Sequence, residues 1–318
     1  MGVLIAIPVW LALREFVPTS AQGVCSALAQ RRIVHLFVGQ GASVRCEGVR
    51  IEGARALGQR ALDGADAAEL TRALLTHKGS ALALLPGAAA AGVSKQIGAL
   101  AHVPGLRGVL LSPELAIYAP THELLLSAAE REALAYVARV LFRGAREPSV
   151  TSFPAALRRV ERVEVMVMLS QRGEPRLWRS ARGTSIARAL LTATRVARDR
   201  WREREQAMGG PLPQKLVDLD VEVSLLSEDG ALGSAQRTFV DRAITPAHGV
   251  GFDYRTAWHY LLPRDVARRK KGPFQALSEL IIDQGLALSV LGESDTRLYR
   301  FVPVSLGVSK APLRAATR

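Results

Sequence analysis

The run His248–Leu286, HGVGFDYRTAWHYLLPRDVARRKKGPFQALSELIIDQGL, constrains the fold more than any other part of this chain. Gly249–Phe252 and Tyr254–Leu262 are rich in β-branched and aromatic residues and predict a strand pair turning at Asp253. Pro263 has no N–H to give a sheet ladder and closes the second strand. From Pro273 to Gln284 apolar residues recur at helical spacing, and Gly285 supplies the stop. Two strands, a proline stop and a capped helix make one α+β unit.

The rest of the chain can be arranged around it. Ile33–Val38 and Ala42–Ile51 predict strands, and Ala67–His77 predicts a helix from Leu70, Leu74 and Leu75. Ser80–Leu85 and Arg107–Leu111 predict two more strands, with a helix over Gly92–His102 between them. The order is ββαβαβ, a small α+β domain over residues 1–120 with Tyr118–His122 as a proline-containing link. Ser127 and Glu130 then form a capping box for a helix reaching Phe142, with Leu134, Val137, Val140 and Leu141 on its apolar face. Val163–Leu169 predicts a strand that turns at Gln171–Glu174 into a second one. Ser185–Arg204 predicts an amphipathic helix with Ile186, Leu190, Ala193, Val196 and Ala197 inward, and Leu219–Ser227 alternates as a strand. Residues 121–318 are therefore expected to form a second domain, a mixed and largely antiparallel sheet with flanking helices.

At 318 residues the chain is long enough for about two domains, and 48% hydrophobic with 22% charged residues excludes a disordered chain or a membrane bundle. A net charge of +13, almost all of it arginine, is compatible with nucleic acid, acidic headgroups or acidic proteins as partners. It is equally what a solvated arginine-rich surface looks like. Cys25 and Cys46 have no metal-motif spacing and are read as two buried thiols, so neither a metal nor a cofactor is expected. Gly39-Gln-Gly41 and Gly209-Gly-Pro211 are turn glycines without phosphate-loop spacing. Val3–Leu13 is apolar but shorter than the roughly 18–20 residues of a membrane span. It reads as a buried or peripheral helix, or as a truncated anchor that would associate the chain with a membrane. No basic stretch precedes it, although Thr19–Gly23 loosely suggests a cleavage site, and Arg14, Arg31 and Arg32 lie on its C-terminal side. The cytoplasm is the expected location.

Several of these landmarks fall in the order seen in the AMMECR family, which the chain resembles over roughly residues 124–308. They are LSAAEREALAYVARVLF, MVMLSQRGE, LDVEVSLLS, the His248-Gly249 pair, Leu261-Leu262-Pro263, Gly285-Leu286 and TRLYRFV. The resemblance implies an intracellular protein, in a modification pathway, with no established reaction. Behind its apolar start, residues 1–120 resemble the small extramembrane domain of the ExbD/TolR family. AMMECR members carry Leu-Arg-Gly-Cys-Ile-Gly after the first strand turn, and the resemblance makes that cysteine the suspected reactive group. Here the segment is Pro175-Arg-Leu-Trp-Arg-Ser-Ala-Arg-Gly183, without cysteine.

The candidate groove is accordingly Arg176, Arg179, Ser180, Arg182 and Gly183, joined by His248, Asp253 and His259. Ser180 or Thr184 could replace a thiol only if a base stood beside it. His259 could approach His248 across the strand pair as an acid–base couple, or could simply be a packed strand residue. Arg264, Arg268, Arg269, Lys270 and Lys271 form a basic run, and Arg195–Arg204 adds a second basic face; both fit phosphate groups, or a solvated loop and a solvated helix face. Three functions follow as expectations: a non-catalytic binding or scaffold protein taking a protein or anionic partner, an enzyme built on Arg179, His248 and Asp253, or a nucleic-acid binder.

Overall fold

The computed structural model describes residues 21–39, 41–57, 67–85, 106–120, 126–160, 163–171, 173–207, 219–255, 257–293 and 295–310. The chain divides into two compact units, Met1–Thr121 with Glu228–Val302, and His122–Ser227 with Pro303–Arg318. The first junction lies between Thr121 and His122. The second unit differs from a contiguous domain over 121–318, because residues 228–302 group with the N-terminal part.

In the first unit helix α1 (Ala21–Gln30) precedes β1 (His35–Val38), β2 (Arg50–Gly53), α2 (Ala67–Thr76), β3 (Ser80–Leu84), β4 (Leu106–Leu111) and β5 (Ala116–Pro120). The expected helix over 92–102 lies outside the described residues. The proline-containing link expected at 118–122 is corrected in part: Ala116–Pro120 is a strand, antiparallel to both β3 and β4. Its Ile117 and Tyr118 are buried, which favours pairing over a loop. The expected strand over 42–51 shrinks to Arg50–Gly53, which runs parallel to β1 with mostly exposed side chains.

The same unit takes the end of β8 (Asp220–Leu232), α6 (Arg237–Ala243), β9 (Gly249–Tyr254), β10 (Ala257–Leu261), α7 (Pro263–Arg268), α8 (Pro273–Asp283) and the start of β11 (Arg297–Ser309). Strands neighbour one another in the order β10-β9-β11-β8-β4-β5-β3-β1-β2. The strand pair and helix read from residues 248–286 are thus present. Their turn follows Tyr254, so it begins two residues later than Asp253, with Arg255 at φ 45°. Pro263 stops β10 as expected but also opens α7, since proline is well placed at a first helical position. One core gathers Leu277, Leu280 and Ile281 of α8 under Val250, Phe252 and Leu298. A second joins Val24 and Leu28 of α1 to Leu36, Ala83 and Ile117.

The two cysteines require a correction. Cys25 of α1 and Cys46, in the loop before β2, form a disulfide instead of standing as buried thiols. Their Cα atoms are 5.4 Å apart, inside the range such a bond spans. Twenty-one residues of separation hid this proximity from the sequence.

The second unit contains α3 (Ala128–Phe142), α4 (Ala155–Arg158), β6 (Val163–Gln171), β7 (Glu174–Gly183), α5 (Ile186–Ala207), the start of β8 and the end of β11. The capping box is formed: Ser127 accepts from the Glu130 N–H, and the Ser127 N–H donates to the Glu130 carboxylate at 2.8 Å. β6 lies antiparallel between β7 and β8. Leu134 and Leu141 of α3, Leu190 and Ala193 of α5, and Val165 and Val167 of β6 share its core. Val196, expected inward on α5, is 42% exposed, while Thr194 is buried and donates to the Leu190 carbonyl.

Candidate functional site

Several polar residues of the first unit are grouped around two acidic side chains, Asp229 and Glu228, although Asp229 Oδ1 is buried without a hydrogen-bond partner among the described residues. His248 follows the turn after α6, and its backbone N–H donates to the Thr245 carbonyl at 2.9 Å. The Thr245 N–H donates to His248 Nδ1 at 3.1 Å, and the Thr245 hydroxyl lies 2.8 Å from the same nitrogen. A backbone N–H only donates, so Nδ1 accepts and the ring hydrogen sits on Nε2. Nε2 then donates to Asp229 Oδ2 at 2.8 Å. Both side chains are 1% exposed. Arg300 Nη2 reaches the same carboxylate oxygen at 2.9 Å, its Nε donates to the Asp229 carbonyl, and its Nη1 donates to the Ala243 carbonyl. Gly108 of β4 makes room for this group, because a Cβ there would stand 2.6 Å from the Asp229 carbonyl oxygen. Burial pushes the nearby Tyr118 hydroxyl up to about 12; Arg300 opposes that rise and Asp229 adds to it.

Glu228, one residue earlier, faces Arg31 at 2.8 Å and also pairs with Arg297. Burial alone would raise its carboxyl, but the two guanidiniums outweigh it and hold the group below the usual carboxylate range. Arg297 reaches on to Asp253 at 3.8 Å.

The expected meeting of His248 and His259 is corrected by the register. His259 sits opposite Phe252, and Leu261 opposite Val250, so His248 lies beyond the paired span. His259 stacks on Phe252 with ring centroids 4.9 Å apart. Burial lowers its pKa, with a hydrogen bond to Gln284 and the charge of Asp253 pulling the other way. The three residues proposed together therefore have separate partners: Asp229 for His248, Arg297 for Asp253, Phe252 and Gln284 for His259. Arg179, the third member of the expected enzyme site, belongs to the other unit. Among the described residues no group of three His, Cys, Asp or Glu could hold a metal ion.

The basic run is largely spent on neighbouring carboxylates, chiefly those of α8, the helix that follows it. Arg269 pairs with Glu279 at 3.0 Å and Asp283 at 3.1 Å, Lys271 with Glu279 at 3.3 Å, and Arg264 lies 3.9 Å from Asp265. Hydrogen bonds from Arg269 and Lys271 hold the Glu279 carboxyl below its ordinary value. Arg268 and Lys270 are exposed.

In the second unit, all five predicted groove residues lie on β7, which pairs with β6 and with no other described strand. Period-two alternation puts Leu177, Arg179, Ala181 and Gly183 on one face and Trp178, Ser180 and Arg182 on the other. Leu177 and Ala181 are buried in the core with α5. Gly183 is a packing residue: a Cβ there would lie 2.7 Å from the Ala189 nitrogen at the start of α5. Arg182 pairs with Glu164, its cross-strand partner. Ser180 stands opposite Met166, which stands opposite Ser224.

Arg176 is skipped by the register, which passes from Leu169–Leu177 to Ser170–Pro175. Its carbonyl accepts from the Arg204 guanidinium of α5 at 3.1 Å. The Trp178 carbonyl accepts from Arg179 at 2.7 Å. Arg179 and Arg204 thus lean on backbone carbonyls of β7, and neither pairs with a carboxylate among the described residues.

Strands and helices mix in both units. The fold class is α+β. No family model matches the chain, and no curated protein matches it. Among solved structures it is similar to an uncharacterized protein, PH0010 from Pyrococcus horikoshii, with 18% sequence identity and a TM-score of 0.43 over 59% of this chain and 99% of that one. No described helix is long and apolar enough to cross a membrane, and residues 3–13 lie outside the described residues.

The sequence singled out His248, Arg179 and, as the end of a basic helix face, Arg204, but missed Asp229, Arg300 and Thr245. A signal existed for two of them. Asp229 and Arg300 are charges set within apolar strand runs, where burial demands a partner of opposite sign.

Proposed function

We propose that this chain is a non-catalytic binding or scaffold protein, an AMMECR-like domain whose contact surface is the arginine-bearing strand β7 and the adjoining end of α5. The observation that carries this reading is the pair of guanidiniums at Arg179 and Arg204, held on backbone carbonyls with no carboxylate partner among the described residues. A guanidinium gains more from a carboxylate or phosphate, which it meets through two parallel N–H donors, than from a neutral carbonyl. The surface therefore favours an anionic or acidic protein partner. The basic run at 264–271 supports nucleic-acid binding less well, because Arg269 and Lys271 already have carboxylates.

The test is capture of acidic protein or polyanion by the full chain at two salt concentrations, comparing the parent with the double variant Arg179→Gln/Arg204→Gln. The reading expects retention that falls with salt and is lost in the variant. Retention unchanged in the variant contradicts it.

A second reading, an enzyme, draws on the chain of hydroxyl, imidazole and carboxylate at Thr245, His248 and Asp229, which has the mutual spacing of an activated nucleophile. It ranks lower because the Nδ1 lone pair is shared with Thr245's own N–H, a turn-fixing bond. Hydrolysis of an activated acetyl ester that disappears in Thr245→Val but persists in Thr245→Ser would move it to first place. The Cys25–Cys46 bond also bears on location, since disulfides persist mainly in oxidising compartments, against the cytoplasmic expectation.

A further inference from the structure

We infer that β7 binds an extended, acidic polypeptide segment by strand addition, with Arg179 and Arg204 acting as removable guards on its edge. The inference rests on the binding reading above and names the class of partner.

Among the described strands β7 has a neighbour on one side only, and proteins commonly blunt such an edge with charged side chains and bulges. β7 has both devices. The bulge at Arg176 interrupts its pairing with β6 near the turn, and guanidiniums cover the Arg176 and Trp178 carbonyls. These bonds hold a cation against a neutral acceptor in a part-exposed place, so they are cheap to exchange.

An incoming strand offers a better arrangement for every group involved. Its backbone N–H groups take over the carbonyls at Arg176 and Trp178, and its carboxylates take the two released guanidiniums. A neutral strand satisfies the carbonyls but leaves the cations without acceptors. A basic strand adds repulsion from Arg176, Arg179 and Arg204. The charge on the edge thus selects an acidic partner, while the backbone ladder supplies affinity that depends little on its other side chains.

The face behind the edge gives a strand something to lie beside. Trp178 and Ser180 are half-buried and stand opposite Met168 and Met166. Alternate side chains of an added strand would reach this mixed apolar and polar row, as adjacent strands do on one face of a sheet.

The experiment titrates the full chain with an eight-residue peptide of alternating glutamate and valine, its lysine–valine counterpart, and an acidic copy N-methylated at alternate residues. Methylation removes ladder donors without changing charge and leaves the protein untouched. The inference expects saturable binding of the acidic peptide, none of the basic one, and a loss of about tenfold or more on N-methylation or in Arg179→Gln/Arg204→Gln. Equal affinity for the methylated and unmethylated peptides overturns strand addition and leaves the anionic binding reading standing. Failure of both peptides and of long polyglutamate to bind overturns the two together. Concentration-dependent dimerisation that the acidic peptide does not reverse assigns the edge to a second copy of this chain and also overturns the inference.

Discussion

One set of arginines in each unit does the opposite job of the other. In the first, Arg300 is buried against Asp229 and His248, and Arg31 and Arg297 close on Glu228. Each cation meets an anion, and taking Asp229 away strands the buried Arg300 guanidinium in a place without water. In the second, Arg179 and Arg204 rest on carbonyls and could leave them at little cost. The difference is whether the acceptor carries charge and whether water is excluded. A closed network fixes a fold; an open one leaves charge to be answered by a partner.

The largest expected effect breaks the closed network. Asp229→Ala should lower unfolding free energy by about 3–5 kcal/mol, because it leaves the Arg300 guanidinium buried without its anion. Chemical denaturation measures it. A loss below about 1 kcal/mol would place Asp229 among ordinary surface pairs and erase the contrast between the units.

Tyr118 sharpens the same point through pH. Its hydroxyl titrates near 10 in an unfolded chain and at about 12 in the fold, so the neutral form is favoured by the native state. Its contribution is fully present below pH 10 and is lost as pH rises from there to about 12. Stability of the parent should fall over that window by roughly 2–3 kcal/mol more than that of Tyr118→Phe. Parallel curves would contradict the buried setting.

The smallest effect is expected in the open network. Arg179→Gln with Arg204→Gln should change stability by less than about 1 kcal/mol, since both bonds are part-exposed and go to neutral acceptors. A larger loss would make these arginines structural and remove the reason to regard them as guards.

Local pattern made much of the fold legible. The capping box at Ser127–Glu130, the strand pair and α8 in residues 248–286, and the run over 185–204 all carried short-range signals that matched their final elements. Ala116–Pro120 did not, because a proline at its end outweighed burial that only tertiary packing reveals. The candidate site was half legible. Arg176, Arg179 and Arg182 stood out as charges on a strand, but their separate fates depend on the bulge at Arg176 and on α5 bringing Arg204 alongside. His248 was visible as a histidine before a strand, whereas Asp229 lies 19 residues away and Arg300 another turn of the chain beyond. The Cys25–Cys46 bond was missed for the same reason, since sequence distance says nothing about which loops meet.

The central claim is that the Arg179 and Arg204 guanidiniums exchange neutral carbonyls for a partner's carboxylates. Nuclear magnetic resonance of the arginine Nε–Hε groups during titration with the glutamate–valine peptide tests it most directly. The account predicts saturable shifts of these two side chains, together with slowed hydrogen exchange at the β7 backbone, while the Arg300 signal stays in place. Shifts spread evenly over the exposed arginines, with unchanged exchange at β7, would contradict it.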